Sequence, residues 1–380
     1  MKVIHIIIGL NLGGAESMLA RLIETHKQTS PSFQHSVISL TTEGEIGAQL
    51  RRTGIEVRAL GMVSMFHTPW TLVRLVQLLR QECPDIVQTW MYHADLLGGL
   101  AARVAGIQTV LWGIRTSDIT KGGSRLTQVI RWLCARLSWF VPKRIICVAE
   151  AARLLHVALG YREDLMKVIP NGLDVDQMVA HPNAVATLRY EKSLTLNTLV
   201  VGMVGRFNEV KGQKNFIRAA GLIANLHPNV RFLMVGRGCD ETNPELVSWI
   251  AETSYPERFL LLGERQDVPV CLAAMDIFVL PSRTEGFPNV LAEAMAMGRP
   301  CVTTDVGDTA LVLGDCGKVV PPDDVPALAQ ALDHMLAISP SVRLALGMAG
   351  RQRIEKEFSM TQCAIRFAEL YKDVSSEPER

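Results

Sequence analysis

Short apolar runs alternate along the chain with longer segments whose apolar residues recur at helical spacing. In the first part of the chain these runs cover residues 3–9, 35–40, 55–60, 86–89, 109–112 and 144–148. In the second part they cover residues 200–205, 230–235, 259–262, 277–280 and 301–303. Between the first two runs, Met18, Leu22 and Ile23 mark one face of a predicted helix over 17–27. This alternation predicts an α/β protein with two doubly wound parallel sheets, each covered by helices on both faces.

A turn at residues 170–172 marks the predicted boundary between two domains. Residues 1–170 carry 19 basic and 12 acidic side chains, a balance of +7, whereas residues 171–380 carry 20 and 26, a balance of −6. Opposite charges in the two halves of a chain indicate different partners. Ligands of doubly wound sheets bind beyond the carboxyl ends of the strands, so two facing domains would hold substrate in a cleft between them.

The composition is that of a globular protein, with 48% hydrophobic and 20% charged residues. The eight cysteines form no CxxC, and none is spaced with histidine as metal ligands are, which indicates buried thiols in a reducing compartment. The apolar run after Lys2 is too short for a signal peptide, and no run reaches the ~20 apolar residues of a membrane span. We therefore expect a cytoplasmic protein that holds no metal and no cofactor and binds no nucleic acid.

The most informative segment covers residues 280–300. It is predicted to form the end of a strand, a glycine-bearing turn and a helix, with Pro288 at the first helical position and Gly298 closing the helix. The backbone N–H groups near residues 287–289 would then be free at the helix N-terminus, where the helix dipole favours phosphate.

Glu285 and Glu293 flank this predicted phosphate position. A carboxylate accepts paired hydrogen bonds from a vicinal diol, so one glutamate would suit a sugar and the other a ribose. Phosphate with a sugar on each side describes a nucleotide-sugar. Taken alone, such a pair is more often a dipole partner and a solvated residue. A glycosidase pair is a further alternative, but it would not need a phosphate-binding helix start between the two acids.

Two loops that follow strands add further candidates. Arg206 and Lys211 lie in a loop after a buried strand, where two cations would stabilise the charge that develops on a departing pyrophosphate. The alternative is an ordinary pair of surface cations. The loop at 9–14 does not fit the G-x-G-x-x-G pattern of dinucleotide sites, so Gly13 and Gly14 are interpreted as a tight turn that approaches a ligand.

These blocks resemble, in the same order, those of the retaining glycosyltransferases of family 4. Residues 285–293 resemble the family's Glu-x7-Glu motif, and residues 201–216 resemble the strand, loop and helix that carry an Arg and a Lys on the donor pyrophosphate. Residues 169–174 are similar to the interdomain element, and residues 12–16 to the N-terminal glycine loop. Residues 91–99 resemble members that build bacterial surface polysaccharides.

The resemblance implies a GT-B fold, in which two Rossmann-like domains face each other across a cleft. It implies an acceptor-binding domain over 1–170, completed by a helix at 360–375, and a donor-binding domain over 171–359. The implied reaction is a retaining, metal-independent transfer in which the acceptor hydroxyl attacks on the face that the phosphate leaves, with that phosphate as the base. The expected donor is a UDP-sugar, and the expected acceptor is a lipid-linked oligosaccharide of bacterial O-antigen or capsule biosynthesis.

The resemblance also assigns roles to single residues. Those expected to act in catalysis are Arg206, Lys211, Glu285 and His93. Those expected to bind the donor are Gly13, Gly14, Arg206, Lys211, Glu285, Gly286, Phe287, Pro288, Asn289 and Glu293.

One departure from the family leaves the acceptor side of the site open. Many members carry a histidine after the strand that corresponds to 109–112, where this chain has Arg115 and Thr116. Asp95 and Asp118 remain as candidates for a carboxylate on the other face of the sugar. The pair Asp323-Asp324 lies in a proline-rich loop and is interpreted as helix capping rather than as a metal site.

Residues 125–144 combine basic side chains with Trp132, Trp139 and Phe140. A basic amphipathic helix with interfacial tryptophans would lie on an anionic membrane, and a core-packed helix with one solvated face is the alternative. Membrane contact would place the protein at the cytoplasmic face of the inner membrane and would suit an anionic, lipid-linked acceptor.

Two other functions stay open at this point. A nucleotide-sugar 2-epimerase shares the two-domain architecture and would release UDP without an acceptor. A non-catalytic nucleotide-binding module would transfer no sugar at all.

Overall fold

The computed structural model describes residues 1–63, 68–116 and 125–377 and divides the chain into two compact units. Unit 1 comprises Met1–Gly172 and Met360–Arg380, and unit 2 comprises Leu173–Ser359. The first change of unit therefore falls at the end of the turn where the charge balance changes sign, which is the position of the predicted boundary.

Unit 1 is built on a seven-stranded parallel sheet of order β3-β2-β1-β4-β5-β6-β7. The strands are β1 Lys2–Ile7, β2 Gln34–Ser39, β3 Glu56–Ala59, β4 Ile86–Trp90, β5 Val110–Ile114, β6 Arg144–Cys147 and β7 Met166–Val168. The helices between them are α1 Gly14–Thr29, α2 Gly44–Arg52, α3 Thr68–Glu82, α4 Tyr92–Val104, α5 Arg125–Leu137 and α6 Glu150–Ala158.

Unit 2 contains a six-stranded parallel sheet of order β10-β9-β8-β11-β12-β13. The strands are β8 Leu199–Val204, β9 Val230–Val235, β10 Phe259–Leu261, β11 Ile277–Leu280, β12 Cys301–Thr304 and β13 Gly317–Val320. The helices are α7 Pro182–Glu191, α8 Gln213–Ala224, α9 Pro244–Ala251, α10 Val268–Ala273, α11 Asn289–Ala296, α12 Thr309–Leu313, α13 Val325–Ala337 and α14 Pro340–Glu357.

The predicted fold class and all eleven predicted strands are confirmed, with ends that differ by two residues at most. Two strands were not predicted. β7 and β13 are the last strands of their sheets, and Val320 is their one buried residue, so neither shows the continuous apolar run of a central strand. Asp324 caps α13 by accepting a hydrogen bond from the Ala327 N–H (2.8 Å), as predicted.

The last helix, α15 (Met360–Ser376), belongs to unit 1. Its apolar face joins the hydrophobic core of unit 1 through buried residues that include Cys363, Phe367 and Tyr371. The Tyr371 hydroxyl also donates a hydrogen bond to the Gln88 side chain on β4. The cysteines are all free, and six of the eight are buried, whereas Cys83 is exposed and Cys316 partly exposed.

A chain of hydrogen bonds between aromatic side chains links β4 to α15 through the core of unit 1. Nε1 of Trp90 donates to Nδ1 of His5 (3.2 Å), His5 Nε2 contacts His35 Nδ1 (2.9 Å), and His35 Nε2 contacts His26 Nδ1 (3.1 Å). His26 Nε2 then contacts the carbonyl of Ala364 (2.8 Å). An indole N–H can only donate and a carbonyl can only accept, so the two ends require that every histidine carries its proton on Nε2.

The three histidines of this hydrogen-bonded series, His5, His26 and His35, are neutral. Burial lowers the pKa of His5 and His26, and it lowers the pKa of His35 to about 3. The mutual repulsion of the rings when charged, together with Lys27 and the N-terminal amine near His35, acts in the same direction.

Candidate functional site

The strand order reverses once in each sheet, between β1 and β4 in unit 1 and between β8 and β11 in unit 2. In doubly wound sheets, such a switch point opens a crevice at the carboxyl ends of the two strands, and ligands bind there. In unit 2, the loop with Arg206 and Lys211 follows β8, and the turn with Glu285 follows β11. In unit 1, the loop with Gly13 and Gly14 follows β1, and His93 follows β4.

At the switch point of unit 2, Lys211 and Glu285 form an ion pair. Lys211 Nζ donates to Glu285 Oε1 at 2.6 Å, and the Ser282 hydroxyl donates to the same oxygen at 2.7 Å. The Glu285 side chain is 10% exposed, so the pair is held at the edge of the protein interior. Arg206, in contrast, is exposed. This region therefore has one fixed cation and one that a ligand can reach freely.

Two glycines allow the backbone of this region to pack closely. Gly212 has a φ of +70°, and a Cβ added there would lie 1.9 Å from the carbonyl oxygen of Pro281 at the end of β11. Gly307 has a φ of +58°, and its Cβ would lie 2.2 Å from the Glu285 carbonyl oxygen. Any side chain at either position would displace the loop that carries Lys211 or the turn that carries Glu285.

The start of helix α11 differs from the prediction. Pro288 is the residue before the helix rather than its first residue, and α11 begins at Asn289. The Asn289 N–H donates to the Phe287 carbonyl at 3.0 Å, so the prediction that this amide is free was wrong. Phe287 and Pro288 are both buried, and the centres of the Phe287 and Phe358 rings lie 5.8 Å apart. This packing holds the tight turn in which the Asn289 N–H is bonded. Glu293 lies on the second turn of α11 and is partly buried.

At the switch point of unit 1, the two glycines have different surroundings. Gly13 precedes α1 in an extended conformation, and an added Cβ would lie 2.3 Å from a Glu16 carboxylate oxygen. An added Cβ at Gly14 would meet nothing within 4 Å. The Glu16 side chain thus folds back over Gly13 at the helix start, whereas the surface at Gly14 is open.

His93 and Asp95 lie on the first turn of α4. His93 is partly buried, and burial lowers its pKa, so its ring is neutral near pH 7. Asp95 is fully buried and accepts hydrogen bonds from the Thr89 hydroxyl (2.5 Å) and the Gly113 N–H (3.2 Å). Burial raises the pKa of Asp95 to about 8, so its carboxyl group is largely protonated at neutral pH. A buried, protonated carboxyl group does not fit a nucleophile, which removes Asp95 as a candidate; Asp118 lies outside the described residues.

Met91 directly follows β4 and has a positive φ of +71°. A left-handed conformation is costly for a side chain of this kind and is concentrated at functional sites. Sequence reasoning did not find this position, because nothing in the residue type marks it.

Arg115, at the end of β5, is the least expected member of the site. Its guanidinium carbon lies 4.4 Å from the centre of the Trp90 ring, and Nη1 donates to the Asn171 side chain at 3.3 Å. Nε and Nη2 are buried and have no hydrogen-bond partner among the described residues. Burial lowers the pKa of Arg115 to about 10, so the group stays charged at neutral pH. Unmet donors on a buried cation are costly, which makes Arg115 a candidate for contact with an anionic or polar ligand.

Within residues 1–63, 68–116 and 125–377, no three His, Cys, Asp or Glu side chains are grouped closely enough to hold a metal ion. No helix in the same part of the chain is long and apolar enough to cross a bilayer.

Comparison with known proteins agrees with this architecture. The profile of Glycosyltransferase Family 4 matches residues 12–177, and that of Glycosyl transferases group 1 matches residues 198–337. The chain therefore belongs to the group 1/family 4 glycosyltransferases and has the GT-B fold that the sequence motifs implied.

Two relatives match over most of their length. The UDP-Gal:alpha-D-GlcNAc-diphosphoundecaprenol alpha-1,3-galactosyltransferase of Escherichia coli is 30% identical over 322 residues, which cover 82% of this chain and 81% of that protein. A GDP-mannose-dependent monoacylated alpha-(1-6)-phosphatidylinositol monomannoside mannosyltransferase of Corynebacterium glutamicum is 32% identical over 380 residues, covering 97% and 95%. Among solved structures, Anabaena HepE in complex with UDP has a TM-score of 0.83 at 21% identity, covering 98% of this chain and 100% of that one.

Proposed function

We propose that this protein is a retaining glycosyltransferase that moves a sugar from a UDP-sugar to a lipid-linked oligosaccharide in bacterial surface polysaccharide biosynthesis. The observation that carries the proposal is the Lys211–Glu285 ion pair at the switch point of unit 2, beside the exposed cation of Arg206. Cations at a switch point suit a diphosphate, and a carboxylate beside them suits sugar hydroxyls. In this assignment unit 2 binds the donor and unit 1 the acceptor.

In the proposed reaction, covalent bonds break and form only in the donor and the acceptor. The bond between the sugar C1 and the β-phosphate oxygen breaks, and the acceptor hydroxyl forms a new bond to C1 on the same face. The acceptor proton passes to the departing phosphate, so UDP and the lengthened glycan are the products. Arg206 and Lys211 stabilise the charge that develops on the phosphate, which lowers the energy of the transition state more than that of the ground state.

The pairing with Glu285 holds the Lys211 ammonium group at the edge of the interior. In the proposed reaction Lys211 binds the phosphate, and Glu285 and Gly286 bind the sugar. Glu293, on the second turn of α11, is assigned to the ribose, and the open surface at Gly14 and the neutral ring of His93 to the transferred sugar.

The nature of the donor is open to a direct test, because the two relatives named above use different nucleotides. Thermal shift measurements with UDP-, GDP- and ADP-sugars should show the largest stabilisation with a UDP-sugar, since a ligand that binds only the folded state raises its stability. Sugar transfer is then measured with a synthetic saccharide linked to a lipid diphosphate. Release of UDP that does not depend on this acceptor would favour hydrolysis or 2-epimerisation, and stabilisation by GDP-sugars alone would overturn the donor assignment.

We place the reaction at the cytoplasmic face of the inner membrane. The supporting observation is that Trp132 on α5 is 56% exposed and that Trp139 and Phe140, just beyond the helix, are also exposed. Helix α5 also buries Ile130, Cys134 and Ala135, so it packs on unit 1 through one face and leaves Trp132 on its solvated face. An acceptor with a lipid anchor is confined to the membrane surface. An enzyme that binds the same surface is brought close to this acceptor.

A further inference from the structure

A groove with a volume of about 570 Å³ lies on unit 1, away from the carboxyl edge of its sheet. It is lined by the C-terminal end of α4 at Arg103, by Gln108 before β5, by residues 139–143 before β6, and by Arg162 before β7. Each of these segments leads into its strand, so the groove lies at the amino-terminal edge of the sheet. The candidate residues Gly13, His93 and Arg115 follow their strands and lie at the opposite edge. The groove is therefore distinct from the site at the switch point.

The groove is positively charged. Its lining includes Arg103, Lys143 and Arg162 and no acidic side chain. Lys143 is only 9% exposed, and its ammonium group donates to the backbone carbonyl of Glu377 at 3.0 Å. Arg103 Nε donates to the Val141 carbonyl at 2.9 Å. A carbonyl carries no net charge, so the charges on Lys143 and Arg103 are not neutralised by these bonds.

The acidic groups near the groove are already paired. Arg162 forms two hydrogen bonds with the exposed carboxylate of Asp164, at 2.8 and 2.9 Å. The Glu377 carboxylate is bound by Arg144. Arg162 is therefore neutralised by Asp164, and the excess of positive charge in the groove comes from Arg103 and the nearly buried Lys143.

The rim of the groove is aromatic. Trp139 is 55% exposed and Phe140 is 79% exposed, and the Arg162 guanidinium lies 5.5 Å from the Trp139 ring centre. On the preceding helix α5, the exposed Trp132 ring lies 5.6 Å from the Arg136 guanidinium carbon. Large aromatic side chains next to cations are typical of surfaces that enter the region between lipid headgroups and acyl chains.

We propose that this groove binds the phosphate headgroup of an anionic phospholipid, while Trp139 and Phe140 enter the membrane interface. Arg103 and Lys143 complement the negative charge of the headgroup, Arg162 at the rim adds a guanidinium that Asp164 already pairs, and the two rings complement the apolar layer beneath the headgroup. A nucleic acid would use the cations but would leave the Phe140 ring exposed to water, so a membrane is the better match. The inference rests on the proposed function only for the membrane face at which the enzyme works.

The test uses the full chain and vesicles of phosphatidylcholine with or without phosphatidylglycerol. Binding should require phosphatidylglycerol and should weaken as salt rises, because exposed charges are screened over ~10 Å at 0.1 M salt. Arg162→Gln should lower the partition coefficient about fivefold, the size expected for one basic residue near an anionic surface. Arg162→Lys should restore most of the binding, because it keeps the charge. Trp139→Ala together with Phe140→Ala should lower binding about tenfold.

Matched controls lie on unit 2. Tyr190 is an exposed aromatic residue and Lys192 a partly exposed cation, so Tyr190→Ala together with Lys192→Gln removes similar groups from another surface. This control should bind vesicles like the unmodified protein. Thermal denaturation of every variant checks that the groove variants remain folded.

Three results would overturn the proposal. The first is that the unmodified protein does not bind phosphatidylglycerol vesicles at low salt, and the second is that the groove variants bind them as well as the control variant does. The third is that the protein binds a single-stranded oligonucleotide more tightly than vesicles and that the groove variants lose this binding. Transfer to a water-soluble acceptor should be unchanged in the groove variants, so loss of lipid binding and failure of the proposed transferase activity are told apart by separate measurements.

Discussion

In the structure, Lys211 pairs with Glu285. In the proposed reaction, Lys211 also binds the phosphate of the donor. An ion pair at the edge of the interior holds its geometry better than a surface pair, because its groups are less hydrated. The pair therefore holds the flexible Lys211 side chain beside the position proposed for the donor phosphate. It also means that a substitution at Lys211 removes both a charge for the reaction and a partner for Glu285.

Arg206→Ala and Lys211→Ala should each lower turnover at least a hundredfold, because each removes charge stabilisation from the leaving group. The measurement is the rate of acceptor-dependent UDP release with the best donor. Arg218, an exposed cation on α8, provides the control variant Arg218→Ala, which should keep the full rate. A near-normal rate in either of the first two variants would show that the cation in question does not act on the phosphate.

The two glutamates should separate in a binding experiment. Glu293→Ala should weaken the binding of UDP alone, since it removes the proposed ribose contact, whereas Glu285→Ala should leave UDP affinity nearly unchanged and impair sugar transfer. Isothermal titration calorimetry with UDP on both variants decides the matter. Equal losses of affinity would mean that the roles are not divided in this way.

Single residues differ in how far sequence shows their role. Glu285 and Lys211 were predicted from motifs in loops that follow strands, and the structure brings the two side chains within 2.6 Å of each other, while their roles stay predictions. The unmet donors of Arg115 were not predictable, because its neighbours Trp90 and Asn171 are distant in sequence and only the folded sheet brings them to it.

Among the structural elements, the loop between β8 and α8 depends most on one backbone position. Gly212→Ala would place a Cβ 1.9 Å from the Pro281 carbonyl oxygen at a φ of +70°, so the loop must move. We expect a loss of about 1–3 kcal/mol in the free energy of unfolding, and impaired transfer because Lys211 moves with the loop. Thermal and urea denaturation measure the first effect. Gly14→Ala, at a position with open space, is the control and should not lower stability.

The hydrogen-bonded chain of histidines should make the stability of unit 1 depend on pH. In the unfolded chain, histidines take up protons as pH falls below about 6.5. In the folded unit, burial lowers all three pKa values, that of His35 to about 3, so the rings stay neutral. Between these pH values the unfolded state binds more protons. The free energy of unfolding should therefore decrease as pH falls, by up to about 4 kcal/mol per pH unit for three groups.

Urea denaturation between pH 7.5 and pH 5, followed by tryptophan fluorescence, measures this slope. The signal reports mainly on unit 1, which contains five of the six tryptophans. His35→Asn should reduce the slope, whereas His334→Asn, at an exposed position on α13, should leave it unchanged. Stability that does not vary over this range would contradict the assignment of three neutral rings.

Elements were predicted as well as their burial allowed. Central strands such as β4 and β11 are buried throughout, and their mainly apolar sequences were sufficient to locate them. The start of α11 was misplaced by one residue because the packing of Phe287 and Pro288, which local sequence does not reveal, decides where the turn ends and the helix begins.

For the whole molecule, we expect sugar transfer to persist in EDTA. The proposed cations Arg206 and Lys211 would balance the charge of the diphosphate in place of a divalent ion. The measurement compares rates before and after dialysis against EDTA, with a metal-dependent transferase treated in parallel as the control. Complete loss of activity that Mg²⁺ or Mn²⁺ restores would overturn the metal-independent mechanism.

The return of α15 to unit 1 has a consequence for synthesis on the ribosome. The buried residues of α15, among them Phe367 and Tyr371, complete a core whose residues outside α15 all lie at or before Ile169, so unit 1 must wait for α15 to be made. Unit 2 is complete at Ser359 and is free to fold earlier, although it comes second in the sequence. At 5–20 residues per second, the unfinished core waits on the order of 10–40 s. A nascent chain stalled near its end should therefore resist protease in unit 2 while it is still cleaved in unit 1.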